Sequence, residues 1–219
     1  MRLDGFARVL SAAGERVDRA ALERGYDASA EYLGDVWRAL RDVPVASHVD
    51  AILAAVNRGL PARLAPDVKA RLVDAYAGPA LLVPPAVDDG ALGALMRLRD
   101  AGYTLAVVSN AMRTPGATLR QILEHYGLLR CFAHTTFSDE VGVRKPAAEI
   151  FALTLRAVGG EPATAVHVGD DPVLDVQGAR AAGMRVIQVA AAPSTGAVPD
   201  AVIGRLAGLP EAVARLERA

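Results

Sequence analysis

Cysteine is almost missing from this chain: Cys131 is the single one in 219 residues. That excludes an internal disulfide and a cysteine-type zinc centre, and it fits a reducing compartment. Aromatic residues are scarce at 5%, and neither sign of charge is in excess, since 24 Lys and Arg stand against 25 Asp and Glu. With a formal net charge of -1 there is no basic field to hold nucleic acid and no polybasic run to anchor to a membrane. No apolar run reaches the roughly 20 residues that span a bilayer. Arg2, Asp4 and Arg8 at the start do not read as a secretory signal, so the cytoplasm is the expected compartment. Apolar residues are abundant, at 52% against 22% charged, which is the balance of a globular chain with a real core. The length suits one sizeable domain, or a core domain with a smaller lobe.

The texture changes along the chain. From Phe6 to about Ala77 apolar residues recur at helical spacing, as in Phe6, Val9, Leu10, Ala13 and again in Tyr32, Val36, Leu40. Breaks at Gly14, Val43-Pro44, Gly59-Leu60-Pro61 and Gly78-Pro79 divide this part into about four helices, with Ser47 and Pro66-Asp67 as starts. Trp37, Tyr26, Tyr32 and Tyr76 are expected to pack this all-helical domain, residues 1–82, and 78–85 reads as a linker.

Beyond Pro85, in residues 83–219, short apolar runs alternate with helical segments. Strands are expected at Thr104–Val108, Cys131–Phe137, Ala165–Val168, Arg185–Ala190 and Ala201–Ile203. Helices are expected at Asp89–Ala101, Thr118–Tyr126, Ala147–Val158, Leu174–Ala182 and Leu209–Leu216. This alternation predicts an α/β fold, a parallel sheet with helices on both faces and strands buried on both sides. Ligands bind beyond the carboxyl ends of such strands. Those ends carry Ser109-Asn110 after one strand and Asp170, Asp171 and Asp175 after another, with Arg144-Lys145-Pro146 opening a helix between them.

Each feature alone has a plain structural explanation. Ser109-Asn110 suits a turn or cap, Lys145 a solvated surface, and Asp170-Asp171 a helix start. Together they fall at the one edge where ligands bind. A hydroxyl, an amide and a lysine can hold phosphoryl oxygens and neutralise developing charge. Clustered carboxylates repel unless a cation sits among them, and hard oxygen ligands favour Mg2+. The expected chemistry is a magnesium-dependent phosphatase or phosphotransferase acting on a small phosphorylated substrate.

In order, Val107-Val108-Ser109-Asn110, Arg144-Lys145-Pro146 and Gly169-Asp170-Asp171-Pro172-Val173-Leu174-Asp175, running on to Gly178-Ala179-Arg180-Ala181-Ala182-Gly183-Met184, resemble the haloacid dehalogenase-like hydrolase superfamily, in its subgroup with a helical cap. Residues 6 to about 82 look like that cap, and 83–219 like most of its Rossmann-like core. The resemblance implies that Ser109 and Asn110 contact the phosphoryl group and that Lys145 bridges substrate and nucleophile. It further implies that Asp170 binds Mg2+, with Asp175 supporting it and Asp171 able to share the task. The spaced acidic pair looks more like the metal-dependent phosphatases than the halide-releasing members.

The family's first motif, a strand ending in Asp-x-Asp, has no counterpart here. Arg2-Leu3-Asp4-Gly5-Phe6 would put Arg2 at the nucleophile position, and a guanidinium that stays protonated cannot attack. In the family that strand lies between the one bearing Ser109 and the one bearing Asp170, so two apolar edges would be left unpaired and a stable fold would have to close the gap. The expectation is a truncated chain, inactive as written, whose full form carries roughly 10 to 20 further residues with the nucleophile strand. The rivals are a pseudoenzyme that binds a phosphometabolite and a dehalogenase-type hydrolase. His48, His125, His134 and His167 show no ligand spacing, and His167, inside an apolar run, reads as a core histidine. Asp139-Glu140 reads as a solvated loop, and Arg113-Thr114 lie close enough in sequence to Asn110 to touch a substrate tail.

Overall fold

Helical spacing in the first third becomes helices α1 Arg2–Ala12, α2 Arg19–Arg38, α3 Val45–Val56 and α5 Pro66–Ala77, with single turns α4 Leu60–Arg63 and α6 Pro79–Leu82. The computed structural model describes residues 2–111, 113–192, 196 and 198–218. Asp18 caps α2, accepting the Ala21 N–H at 2.6 Å, and Pro66 opens α5, where a missing N–H costs nothing. Ser47 lies inside α3, whose N-cap position is Pro44. The expected linker 78–85 is therefore partly helical. The apolar stripes meet in one core built on Phe6, Leu10, Leu22, Ile52, Leu72 and Tyr76. Tyr76 is fully buried there, but Tyr32 is 43% exposed and does not pack it, contrary to expectation.

The helices belong to a first compact unit, Met1–Pro85, Ala111–Ile122 and Ser138–Gly142. Its later segments are held by a buried polar cluster: Ser138 donates to Asp42 and accepts from the Ala111 N–H at 2.8 Å, and Trp37 donates to Asp42 at 3.1 Å. Ser138 opens the turn α9 Ser138–Val141. Asp139 is buried rather than solvated, because its carboxylate accepts the Gly116 N–H at the start of α8 Gly116–His125. Burial pushes its carboxyl upward, whereas Glu140 pairs with Arg120 at 2.6 Å.

The second unit holds the α/β part: α7 Ala91–Asp100, β1 Ala106–Ser109, β2 His134–Phe137, α10 Ala148–Val158, β3 Val166–Gly169, α11 Gly178–Ala181, β4 Arg185–Val189, β5 Ala201–Ile203 and α12 Leu209–Glu217. Every strand pairing is parallel, and side chains alternate across the sheet. Val186 joins the cluster with Ile150 and Phe151 of α10 and Ala179 of α11, while the next residue, Ile187, joins Leu98 of α7 and Val213 of α12. That is a three-layer, Rossmann-like arrangement around β4.

The sheet is nevertheless in two pieces, β1-β2 and β3-β4-β5. Contrary to expectation, β1 and β3 are not buried throughout: all four β1 residues and three of four in β3 are half-buried, whereas Val186, Ile187 and Gln188 of β4 are buried. The reason is that the gap has not closed. A cavity of about 580 Å³ lies between β1 and β3. Among the described residues, no helix is long and apolar enough to cross a membrane.

Candidate active site

Three loops at the carboxyl ends of β1 and β3 are tied together inside the second unit. The Asn110 carboxamide clasps the Lys145 main chain: Oδ1 accepts the Lys145 N–H at 2.9 Å, and Nδ2 donates to the Lys145 carbonyl at 3.1 Å. The following peptide bond, Lys145-Pro146, is cis. From this clasp the Lys145 ammonium reaches Asp175 Oδ1 at 2.5 Å, with side chains only 12% and 4% exposed. His167 Nε2 lies 2.8 Å from the same oxygen, and the Asp171 N–H donates to Oδ2 at 3.0 Å. An ionised Asp175 makes Nε2 the protonated ring nitrogen, and the His167 ring stands edge-on to Phe151 at 5.0 Å.

Burial alone would raise the Asp175 carboxyl. The hydrogen bond from His167 and the charge and hydrogen bond of Lys145 outweigh that and hold it well below the ordinary carboxylate range. Asp175 is aimed inward by its local backbone. Residues Pro172–Gln177 form a π-type turn, in which the Asp171 carbonyl accepts from both Asp175 and Val176, at 3.0 and 3.1 Å. Two glycines make room. A Cβ on Gly169 would sit 2.3 Å from Asp175 Cγ, and one on Gly178 would sit 2.9 Å from Pro146 Cα, so the small residues in these motifs let the loops touch.

The structure thus joins Asn110, Lys145 and Asp175, and adds His167, which periodicity within an apolar strand had marked as core. The signal that could have found it is its position two residues before Gly169, on the strand that delivers the acidic turn. Ser109 adjoins the clasp, and its hydroxyl makes no hydrogen bond among the described residues. Lys145 uses one of its three ammonium donors. The acidic residues do not converge as expected. Asp171 caps the turn, accepting from Val173 and Leu174 at 2.8 and 2.7 Å, and Asp175 is already balanced by Lys145 and His167. Asp170 is exposed, and among the described residues only its carbonyl is engaged, by Gln188 Nε2 at 3.2 Å. Their mutual repulsion is relieved by a lysine, a histidine and main-chain N–H groups. Among the described residues no three His, Cys, Asp or Glu side chains gather so as to hold a metal ion, so the acidic trio as placed is an incomplete donor set for Mg2+. In the first unit, the Arg113 guanidinium lies 4.3 Å from the Tyr26 ring centroid.

Comparison with known proteins gives a consistent picture. A family model described as haloacid dehalogenase-like hydrolase matches residues 18–183. The mouse protein "Haloacid dehalogenase-like hydrolase domain-containing protein 3" is 41% identical over 115 residues, 52% of this chain and 44% of that protein. A "Glyceraldehyde 3-phosphate phosphatase" of Methanopyrus kandleri is 36% identical over 97 residues, 43% of this chain and 40% of its own length. Each match therefore spans less than half of these curated relatives. A crystal structure of a 2-haloacid dehalogenase from Pseudomonas syringae superposes with TM-score 0.66 at 21% identity, covering 98% of this chain and 89% of that one, a likeness of fold.

Proposed function

Since the chain belongs to the haloacid dehalogenase-like hydrolase family, matched over residues 18–183, we propose that it is a cytoplasmic phosphatase of small phosphorylated metabolites. The observation that carries this is the buried Lys145 ammonium, fixed by Asn110 and Asp175 at the strand ends with donors to spare, beside the free Ser109 hydroxyl. Ser109 and Asn110 are assigned to the phosphoryl oxygens, the latter through its second amide N–H, and Lys145 to the charge that builds on phosphorus. His167 positions Asp175, and Asp175 positions Lys145. The phosphatase names of relatives such as the Methanopyrus kandleri enzyme support a phosphate monoester as substrate.

Mg2+ enters this proposal through the sequence pattern Gly169-Asp170-Asp171 followed by Asp175, with Asp170, Asp175 and Asp171 as its carboxylates. The donor set as placed is incomplete, so no chemical step is routed through a metal. The attacking carboxylate of the family has no counterpart among these 219 residues, and they are proposed to be inactive alone. A second reading is a protein that binds a phosphometabolite without turning it over, since the Lys145 ammonium and the Ser109 hydroxyl can hold phosphate with or without an attacking group.

The test has two parts. Phosphate binding followed by 31P NMR should weaken about tenfold or more in Lys145→Ala, consistent with loss of one charge-assisted hydrogen bond of about 1.5 kcal/mol. Equal binding by both proteins would remove both readings. No hydrolysis of para-nitrophenyl phosphate with Mg2+ is expected from these 219 residues, and turnover that is lost in Asp170→Asn would overturn the proposed inactivity and support the enzyme over the binder. Halide release from a 2-haloacid would instead support the dehalogenase alternative.

A further inference from the structure

We infer that the first unit carries an oxyanion site of its own, where Arg2 and Arg113, lying on the neighbouring rings of Tyr76 and Tyr26, take up a small carboxylate or phosphate. All four residues belong to that unit. Arg2 opens α1; its guanidinium carbon lies 5.3 Å from the Tyr76 ring centroid, and its Nε donates to the Tyr76 carbonyl at 2.8 Å. Arg113, just before α8, lies 4.3 Å from the ring centroid of Tyr26 in α2. The two rings adjoin, with centroids 6.4 Å apart and planes inclined at 50°. Two positive groups thus converge on one aromatic platform.

Packing accounts for part of this. The Tyr76 carbonyl belongs to the last turn of α5, where a helix end favours positive charge, and a guanidinium gains by lying over a ring. Neither effect explains why a second guanidinium is brought up beside the first. Both arginines are half-buried. Burial lowers the Arg113 guanidinium from its ordinary value, and the charge of Arg2 lowers it further. Among the described residues neither has an ion-pair partner, whereas Arg19, Arg63, Arg71 and Arg120 of the same unit each reach a carboxylate. Among those residues, too, Arg113 makes no hydrogen bond and Arg2 spends only its Nε, so the terminal N–H forks of both stay open.

The ligand follows from these donors. Two converging forks without a counter-ion repel a metal cation and gain nothing from an apolar molecule. A pair of oxygens sharing negative charge matches a fork in shape and cancels the repulsion, which is the chemistry common to carboxylate and phosphate groups. The inference rests on the first unit alone and not on the phosphatase reading, whose phosphate contacts are Ser109, Asn110 and Lys145.

The test uses the full 219-residue chain, with the Nε–H signals of Arg2 and Arg113 followed by NMR as malonate or inorganic phosphate is added. At least one of these probes should shift both signals saturably and with one shared midpoint, and sodium chloride at matched ionic strength should not; the probe that does so tells carboxylate from phosphate. Arg113→Gln should raise the midpoint read at Arg2 about tenfold or more, the loss of one charge-assisted contact. Arg2→Gln, read at Arg113, gives the reciprocal measurement should the first variant fail to fold. Shifts that merely follow ionic strength overturn the inference, as do midpoints that differ between the two arginines or stay unchanged in the glutamine variants. Because these signals report on the arginines themselves, the outcome does not depend on whether Lys145 binds phosphate.

Discussion

The Lys145–Asp175 pair can be tested by a double-mutant cycle, because the structure isolates it so clearly. Asp175→Asn keeps the shape and removes the charge, leaving an ammonium 12% exposed without its counter-ion. Breaking one side of a buried pair costs about 3 to 5 kcal/mol, since desolvation is not recovered. His167 also loses its ionised acceptor. Lys145→Met alone should cost less, about 1 to 2 kcal/mol, because His167 and the Asp171 N–H still satisfy Asp175. Asp175→Asn with Lys145→Met should then be less destabilised than the sum by about 2 kcal/mol. Urea unfolding at pH 7 measures all four proteins. The pH dependence gives a second check. A carboxyl depressed in the folded state adds stability that is fully present above its unfolded pKa of about 4 and is lost as pH falls through that value toward the folded one. The gap between wild type and Asp175→Asn should therefore narrow steadily below about pH 4. A coupling under about 0.5 kcal/mol, or a gap unchanged at low pH, would refute the claim that charge rather than packing holds this site.

Gly178→Ala forces a Cβ to within 2.9 Å of the Pro146 backbone and should cost about 1 to 3 kcal/mol, seen as a fall of several degrees in melting temperature; an unchanged melt would mean the contact is slack. Tyr76, buried with its hydroxyl unpartnered among the described residues, has its pKa pushed up to about 12, chiefly by burial. Its folded pKa lies above the unfolded value of about 10, so stability is intact below pH 10 and is lost as pH climbs toward 12, by about 3 kcal/mol at most. Tyr76→Phe should abolish that alkaline loss in a pH series of thermal melts, and a series that still tracks wild type would discount the residue.

Much of the architecture was written in periodicity. The strand runs beginning at Thr104, Cys131, Ala165, Arg185 and Ala201 all overlap observed strands, β1 and β3 each running one residue further, because a parallel sheet needs unbroken apolar segments and the helices between them keep a 3.6-residue rhythm. Residues within a motif were legible as well, and Lys145 and Asp175 do meet. Partnership across sequence was not. His167 looks like core because it is buried in an apolar run, and its acceptor arrives eight residues later, after a π-type turn that no residue pattern announces. Asp139 looks like loop because its reason for burial, the Gly116 N–H, lies 23 positions away. The acidic run called for positive charge, and for Asp175 a lysine brings it, because mutual repulsion says only that positive charge is needed and not which group brings it.

Gly178 resting on Pro146 means that the reach of the Lys145 ammonium is governed by one stretch of main chain bearing directly on another. Flexible side chains can shift to absorb an error, and bare backbone has little room to do so. Small displacements of the turn after β3 would thus be passed on as movements of a charge, so that in this protein faults of steric fit should surface first as faults of electrostatics.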